Sequence, residues 1–433
     1  MESTKLSVQA PTVASRPLTL RANFQWTFVG NMVNALSQWA VLMVLAKLGD
    51  EASVGRFSTG LAVTAPVMAF AMLQLRSVQV TDARGNFPFA DYFGTRIAWT
   101  VFGGVAILFW AFAAGYDRQT VWVITLVGLA KAIDSLSDII RGIFQRYERM
   151  DFSGISLGVR GLAGLLGFGT VQWITRDVVA ASAGMAVAFL ASFLFYDVVC
   201  ATRVLRLASH GDQEPGRFRA RFDRKAMLKL TLIALPLGLV MGLIALQVNI
   251  PRLVLERYGG LEAIGYFTVM VYPMLAGQMV IGALGQSAAP RLARYYVEDT
   301  DAYRRLLGKL LLLAGGIGVA LVVGTALLGG PVLALLYRPD YAAYHREFVV
   351  LAIAAAVQLI SSCWGYALTS ARRFRVQVSL VSISCIATTV AAFVLVPKWG
   401  VMGAALTVLI TSIVSWGVYL LAMRSALRAV TRI

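Results

Sequence analysis

Long apolar runs bounded by charge recur along the chain, near 24–46, 57–75, 93–115, 119–140, 155–173 and 178–202. After a break they return near 230–251, 261–287, 310–336, 348–371, 376–396 and 399–423. Each run is close to the ~20 residues a helix needs to cross a hydrocarbon core. The pattern predicts an all-α polytopic membrane protein of twelve transmembrane helices. Composition agrees: of 433 residues 58% are hydrophobic and 14% charged, where a soluble chain is about half apolar and about a quarter charged. A soluble domain and a disordered chain are both excluded. The first run is too long for a signal-peptide core and no small-residue cleavage site follows it, so it is read as retained.

The net charge of +17 would alone point towards nucleic acid. With the N-terminus placed in the cytoplasm, it divides as +16 on the inner connections and tails, +1 outside and zero within the spans. This is the positive-inside asymmetry, and nucleic acid is not needed as a partner. The densest cluster, Arg217, Arg219, Arg221, Arg224, Lys225 and Lys229, lies in the longest inner connection. It reads as a topology anchor against anionic headgroups or as a partner-binding patch. Cys200, Cys363 and Cys385 fall in or beside spans and read as packing residues rather than disulfides. No metal or cofactor signature is present.

The basic connection has six spans on each side, which predicts a cytoplasmic tail (1–23), an N-lobe (24–203), a basic linker (204–229), a C-lobe (230–423) and a second cytoplasmic tail (424–433). The lobes share a segment at an offset of 210, where Lys47-Leu48-Gly49-Asp50-Glu51-Ala52-Ser53-Val54-Gly55-Arg56-Phe57 matches Arg257-Tyr258-Gly259-Gly260-Leu261-Glu262-Ala263-Ile264-Gly265-Tyr266-Phe267. Both copies join the first two spans of their lobe and face the same side, so the repeat is parallel, about a pseudo-two-fold along the membrane normal. Two such bundles suggest a substrate path between them, opened alternately to each face.

Ionisable groups inside a membrane are costly and concentrate where there is function or pairing. Span 4 carries Lys131, Asp134 and Asp138 along one helix face, and span 5 carries Arg160 at a similar depth. With Asp197 and Arg96 the intramembrane charge sums to zero. Two readings stay open: ion pairs that hold the bundle together, or a coupling or substrate pathway. Gly154, Gly158, Gly161 and Gly164 on span 5 read as close helix packing. The leading spans of each lobe carry amides instead: Asn31 and Asn34 in span 1, Gln247 and Asn249 in span 7, and Gln278 in span 8. Arg252 follows Pro251 and reads either as a ligand contact or as an outer-interface anchor. Pro236, Pro251 and Pro273 are candidate helix bends. His345 falls in an outer connection and is expected to be exposed.

Phe28-Val29-Gly30-Asn31, Leu48-Gly49 with Val54-Gly55-Arg56-Phe57, Leu75-Arg76-Ser77-Val78-Gln79-Val80-Thr81-Asp82, Asn249-Ile250-Pro251-Arg252 and Pro397-Lys398-Trp399-Gly400-Val401-Met402-Gly403-Ala404-Ala405 together resemble the Wzx-type polysaccharide flippases. These belong to the multidrug/oligosaccharidyl-lipid/polysaccharide exporter superfamily. The resemblance spans the chain through loose motifs. It implies a multi-pass protein of the bacterial inner membrane, with cytoplasmic termini, that translocates an undecaprenyl-diphosphate-linked oligosaccharide. Membrane lipids and other polysaccharide-assembly proteins would be its further partners. It also implies a cavity between the lobes lined by spans 1, 2, 7 and 8, onto which Asn34, Arg76, Asn249 and Arg252 map.

Three alternatives remain at this stage. A multidrug cation exporter of the same superfamily would want cavity carboxylates, and beyond Glu262 at the outer edge of span 8, spans 1, 2, 7 and 8 have none. A peptidoglycan-precursor flippase would have more spans and more arginines along spans 1 and 2. A membrane polymerase or ligase would need a base or nucleophile at the outer face, where no connection is long enough to hold such a site.

Overall fold

The computed structural model describes residues 18–82, 86–208, 218–370 and 374–430. The N-terminal tail up to residue 17, His210, Arg217 and the last three residues lie outside the described residues.

The described chain is helical throughout: α1 (Leu20–Leu48), α2 (Glu51–Ala71), the short α3 (Leu75–Thr81), α4 (Phe89–Ala113), α5 (Arg118–Arg146), α6 (Met150–Thr175), α7 (Val178–Ser192) and α8 (Val198–Ala208). Then follow α9 (Arg224–Glu298), α10 (Thr300–Leu336), α11 (His345–Ser370) and α12 (Phe374–Val430). A π-turn at Phe193–Asp197 joins α7 to α8, and a 3-10 turn at Pro339–Tyr344 precedes α11. Much of the sparse acid in the connections serves as N-caps. Asp50, Asp117, Asp177, Asp223 and Asp299 each accept a backbone N–H from the first turn of the helix that follows.

Among the described residues nine helices are long and apolar enough to cross a membrane, which makes this a multi-pass membrane protein. The difference from the twelve spans expected lies at three places. The apolar stretches at Arg224–Gly282 and Ser379–Met423 are far longer than a ~30 Å core requires, and each holds one glycine with left-handed φ, Gly260 (76°) and Gly400 (52°). A side chain would be strained at either position, and there the chain reverses. The third place is α5, which has the length of a span and carries the charged residues. Within α9 the only non-helical position is Gly260, so helical backbone runs through Pro236, Pro251 and Pro273.

Helices α1–α8 pack on one another, as do α9–α12, and the most extensive contact between the two sets is α2 against α9. Small residues allow the closest approaches. A Cβ on Gly30 of α1 would lie 2.5 Å from the Gly154 carbonyl oxygen of α6, and one on Gly161 would lie 2.9 Å from Asn34 Cα. The three cysteines are free and buried. His345 opens α11 half-buried, its ring Nε2 3.0 Å from the Thr325 carbonyl oxygen. It is a packed residue and not the exposed one the sequence predicts, because helix α10 reaches the same end of the bundle.

Candidate functional site

The face of the protein holding the α1–α2 turn, Gly260 and the 3-10 turn is here called the turn face; the opposite one, holding α3 and residues 218–223, is the basic face. The turn face is sealed. Gly55 and Gly265, equivalent in the repeat, sit where a Cβ would meet the carbonyls of Leu261 and Glu51, themselves equivalent. The Trp39 indole donates to the Tyr337 hydroxyl (2.7 Å), which donates to the Val269 carbonyl (3.2 Å). Arg338 donates to the Gly49 carbonyl (3.0 Å) and pairs with Glu51 (3.2 Å). The Tyr266 ring stacks on Tyr344 at 4.4 Å.

Behind this seal each lobe contains a cavity, and the two are built alike. Gln38, Val41, Phe57 and Leu61 line the first; Val248, Pro251, Phe267 and Val271 line the second at the same offset of 210. The correspondence continues through α5 and α11, where Val127, Ala130, Lys131 and Asp134 stand in the places of Leu351, Ala354, Ala355 and Gln358. Arg160 stands in the place of Thr388, Met185 of Val408 and Phe189 of Ser412. In the first cavity, charged side chains fill the space and leave about 40 Å³; in the second, Ala355, Gln358 and Thr388 leave about 290 Å³. Tyr272 of α9 also lines the first cavity and lies close to Arg252 of the second, so the two meet near its ring.

The intramembrane charges form a network richer than the sequence indicates. Asp138 accepts from Arg96 and Arg76, both at 3.2 Å, and Arg141 lies 3.7 Å away. Asp134 pairs with Arg141 (3.0 Å) and with Arg160, which also donates to the Asn34 side-chain oxygen (2.8 Å). Asp197, placed by the π-turn, is buried beside Ser137 and Ser156. Lys131 makes no ion pair among the described residues, and neither does Arg252, which donates to Asn249 at 3.0 Å.

This corrects the neutral intramembrane sum. Arg141 and Arg252, which the sequence places with the connections, are buried, and Arg76 reaches Asp138 from the basic face while staying partly exposed. Arg76 does so because Leu73 and Gln74 adopt left-handed φ (49° and 51°) and fold α3 back against α5, where Arg76 also donates to Gln145 (3.1 Å). Arg141 is buried because α5 continues to Arg146. Arg252 is 8% exposed within α9, so it is not an interface anchor. The i, i+3 spacing of Asp138 and Arg141 was the available signal for Arg141.

The structure thus divides the expected site residues. Gln247, Arg252 and Gln278 line the second cavity, and Asn249 supports Arg252. Lys131, Asp134 and Arg160 line the first, with Asn34 behind Arg160. Arg76 and Asp138 instead border a separate cavity of about 450 Å³ at the basic face, with Gln74 and Gln145. Asn31 is exposed on α1, and its amide donates to the Thr27 carbonyl (2.7 Å). Arg96, Gln358, Thr388 and Thr411 were not foreseen as site residues.

Two matched helical bundles, each with an internal cavity and meeting at a sealed seam, define a multi-pass membrane protein built on a parallel internal repeat. The chain belongs to the polysaccharide biosynthesis protein family, whose model matches residues 20–296. It is 25% identical over 396 residues to the capsular polysaccharide biosynthesis protein CapF of Staphylococcus aureus, covering 91% of this chain and 96% of that one. Its fold is similar to the inward-facing conformation of a multidrug resistance MATE family transporter of the MOP superfamily, with a TM-score of 0.73, 14% identity and coverage of 92% and 96%. It is similar too to the lipid II flippase MurJ in an inward closed conformation, with a TM-score of 0.71, 12% identity and coverage of 92% and 87%. The resemblance to Wzx-type flippases therefore stands. The fold is one that the MATE family transporter and MurJ share.

Proposed function

We propose that this chain is a flippase that carries an undecaprenyl-diphosphate-linked oligosaccharide from the cytoplasmic to the outer face of the bacterial inner membrane, for surface polysaccharide assembly. In this reading both termini are cytoplasmic, residues 24–203 and 230–423 are the two moving lobes, and 204–229 is their linker. The turn face is then the outer one, and its seal belongs to the state that loads from the cytoplasm.

One observation supports this reading above the others. Asp134 and Asp138 are each held by arginines, while Lys131 and Arg252 have no carboxylate partner among the described residues. Apart from Asp197, which sits beside Ser137 and Ser156, the intramembrane acids are paired and cations are left over, which suits a diphosphate or an acidic sugar, since guanidinium donors match such oxygens. A cationic drug would need the reverse. The first half of α1 supports the rest of the picture, because Phe24, Trp26, Phe28, Val29, Met32 and Leu36 are exposed along it. An isoprenoid tail has an apolar wall there to follow while its head group crosses.

The test is reconstitution of the purified chain in liposomes with a fluorescent undecaprenyl-diphosphate-linked sugar and a membrane-impermeant quencher. Faster exchange of the lipid between leaflets than in protein-free liposomes is the expected result. Equal rates, with cation efflux intact in the same vesicles, would favour the drug-exporter reading instead.

A further inference from the structure

The two cavities share one plan, yet only the second has room for a ligand. At three equivalent positions the N-lobe has Lys131, Asp134 and Arg160 where the C-lobe has Ala355, Gln358 and Thr388. The N-lobe cavity is closed from within by its own ion pairs. The C-lobe cavity, about 290 Å³ and opening past the exposed Val248, is of the size of one sugar ring.

The chemistry of its wall selects the ligand. Arg252 Nε and Gln278 Nε2 are buried and have no hydrogen-bond partner among the described residues, and both are donors. The neighbouring hydroxyls already have theirs placed: Thr388 donates to the Ser384 carbonyl (2.7 Å) and Ser412 to the Val408 carbonyl (2.9 Å). The cavity thus offers an unengaged guanidinium N–H and amide N–H beside amide and hydroxyl oxygens that can accept. No carboxylate lines it among the described residues. A buried guanidinium lacking a counter-charge is costly, and it repels any cation that might enter. A ligand that brings anionic oxygens removes that cost.

We infer that the C-lobe cavity binds one sugar unit of the transported glycan through a negatively charged group, with Arg252 as the counter-charge and Gln278 as the second donor. This rests on the flippase reading for its supply of sugar, and it names the place and charge of the unit that is recognised. The charge is a sugar carboxylate or a sugar phosphate; the two share the same oxyanion chemistry.

Three probes separate the cases: 4-nitrophenyl glucuronide, its neutral counterpart 4-nitrophenyl glucoside, and glucose 1-phosphate, each titrated by calorimetry into the purified chain in detergent. The unsubstituted chain should bind at least one anion roughly tenfold or more tighter than the glucoside, and which anion it prefers identifies the source of the charge. Arg252→Gln should remove the preference, and Arg252→Lys should retain part of it. A second variant works independently of Arg252: Gln358→Asp with Thr388→Arg rebuilds the N-lobe ion pair inside the C-lobe cavity and should abolish binding of all three. Thermal unfolding of each variant checks that it folds. Equal binding of the glucoside and both anions by the unsubstituted chain would overturn the inference. So would an anion preference that survives Arg252→Gln, or binding that survives the filled cavity. Nothing in these titrations crosses a membrane, so their failure leaves the translocation reading to its own test.

Discussion

Gly55 lies against the Leu261 carbonyl so closely that no side chain fits between them, and the equivalent Gly265 lies against Glu51 in the same way, where a Cβ would come within 2.7 Å of the carbonyl oxygen. The seam at the turn face is thus two copies of one contact, related by the internal repeat. Glycine is required at both because helix backbones touch there.

It follows that Gly55→Leu or Gly265→Leu prevents the seal from closing. Spin labels at the exposed positions of Lys47→Cys and Glu262→Cys should report it. The unsubstituted background should give a short, narrow distance distribution, and either leucine variant a longer and broader one. An unchanged distribution would mean that the seam does not hold the lobes together.

Asp138 is the shared counter-charge of Arg76, Arg96 and Arg141. Asp138→Asn should therefore lower stability by about 3–5 kcal/mol, as removal of one partner from a buried pair does. Adding Arg96→Met, which takes away the fully buried cation, should recover part of the loss. Thermal unfolding in detergent measures both. A wholly additive pair of losses would show that the two residues do not share one network.

Asp50 caps α2 at the start of the seam, accepting from the Ser53 backbone N–H at 2.8 Å. Its bonds with Ser53 hold its carboxyl below the ordinary 3.8. A carboxyl with a depressed value stabilises the fold above its ordinary range and loses that contribution as pH falls through the depressed value. Asp50→Ala should then cost about 1 kcal/mol at neutral pH, and the difference from the unsubstituted chain should shrink as pH falls below 3.8. Melting curves across pH give the comparison.

Arg338 bridges the lobes through Gly49 and Glu51. Arg338→Gln should weaken the seal less than a leucine at Gly55, because one partly exposed pair contributes only about 0.2–1 kcal/mol. In the spin-label experiment it should add a minor long-distance population without abolishing the short one.

The spans were legible because hydropathy and flanking charge follow directly from crossing a membrane. The repeat was legible only where its offset is constant. It holds at 210 through α1, α2 and the two parts of α9, then becomes 224 between Lys131 and Ala355 and 228 between Arg160 and Thr388, since the connections differ in length. A single-offset comparison therefore misses the match between the two cavities. Arg76 was hidden for another reason. Its reach to Asp138 depends on two left-handed residues, Leu73 and Gln74, neither of them a glycine that would have marked the turn. Gln358 and Thr388 gave no signal of their own. They acquire meaning only beside Asp134 and Arg160, in a cavity that the folded chain brings together.

The central claim is movement of a lipid-linked glycan from one leaflet to the other. The most direct measurement uses cells lacking the gene, with and without the chain restored on a plasmid. A lectin against the host's repeat unit would be applied to intact spheroplasts and to inverted inner-membrane vesicles. Accumulation on the cytoplasmic face without the chain, relieved when it is restored, is the result predicted here. Normal appearance of repeat units on the outer face in cells without it would contradict the account.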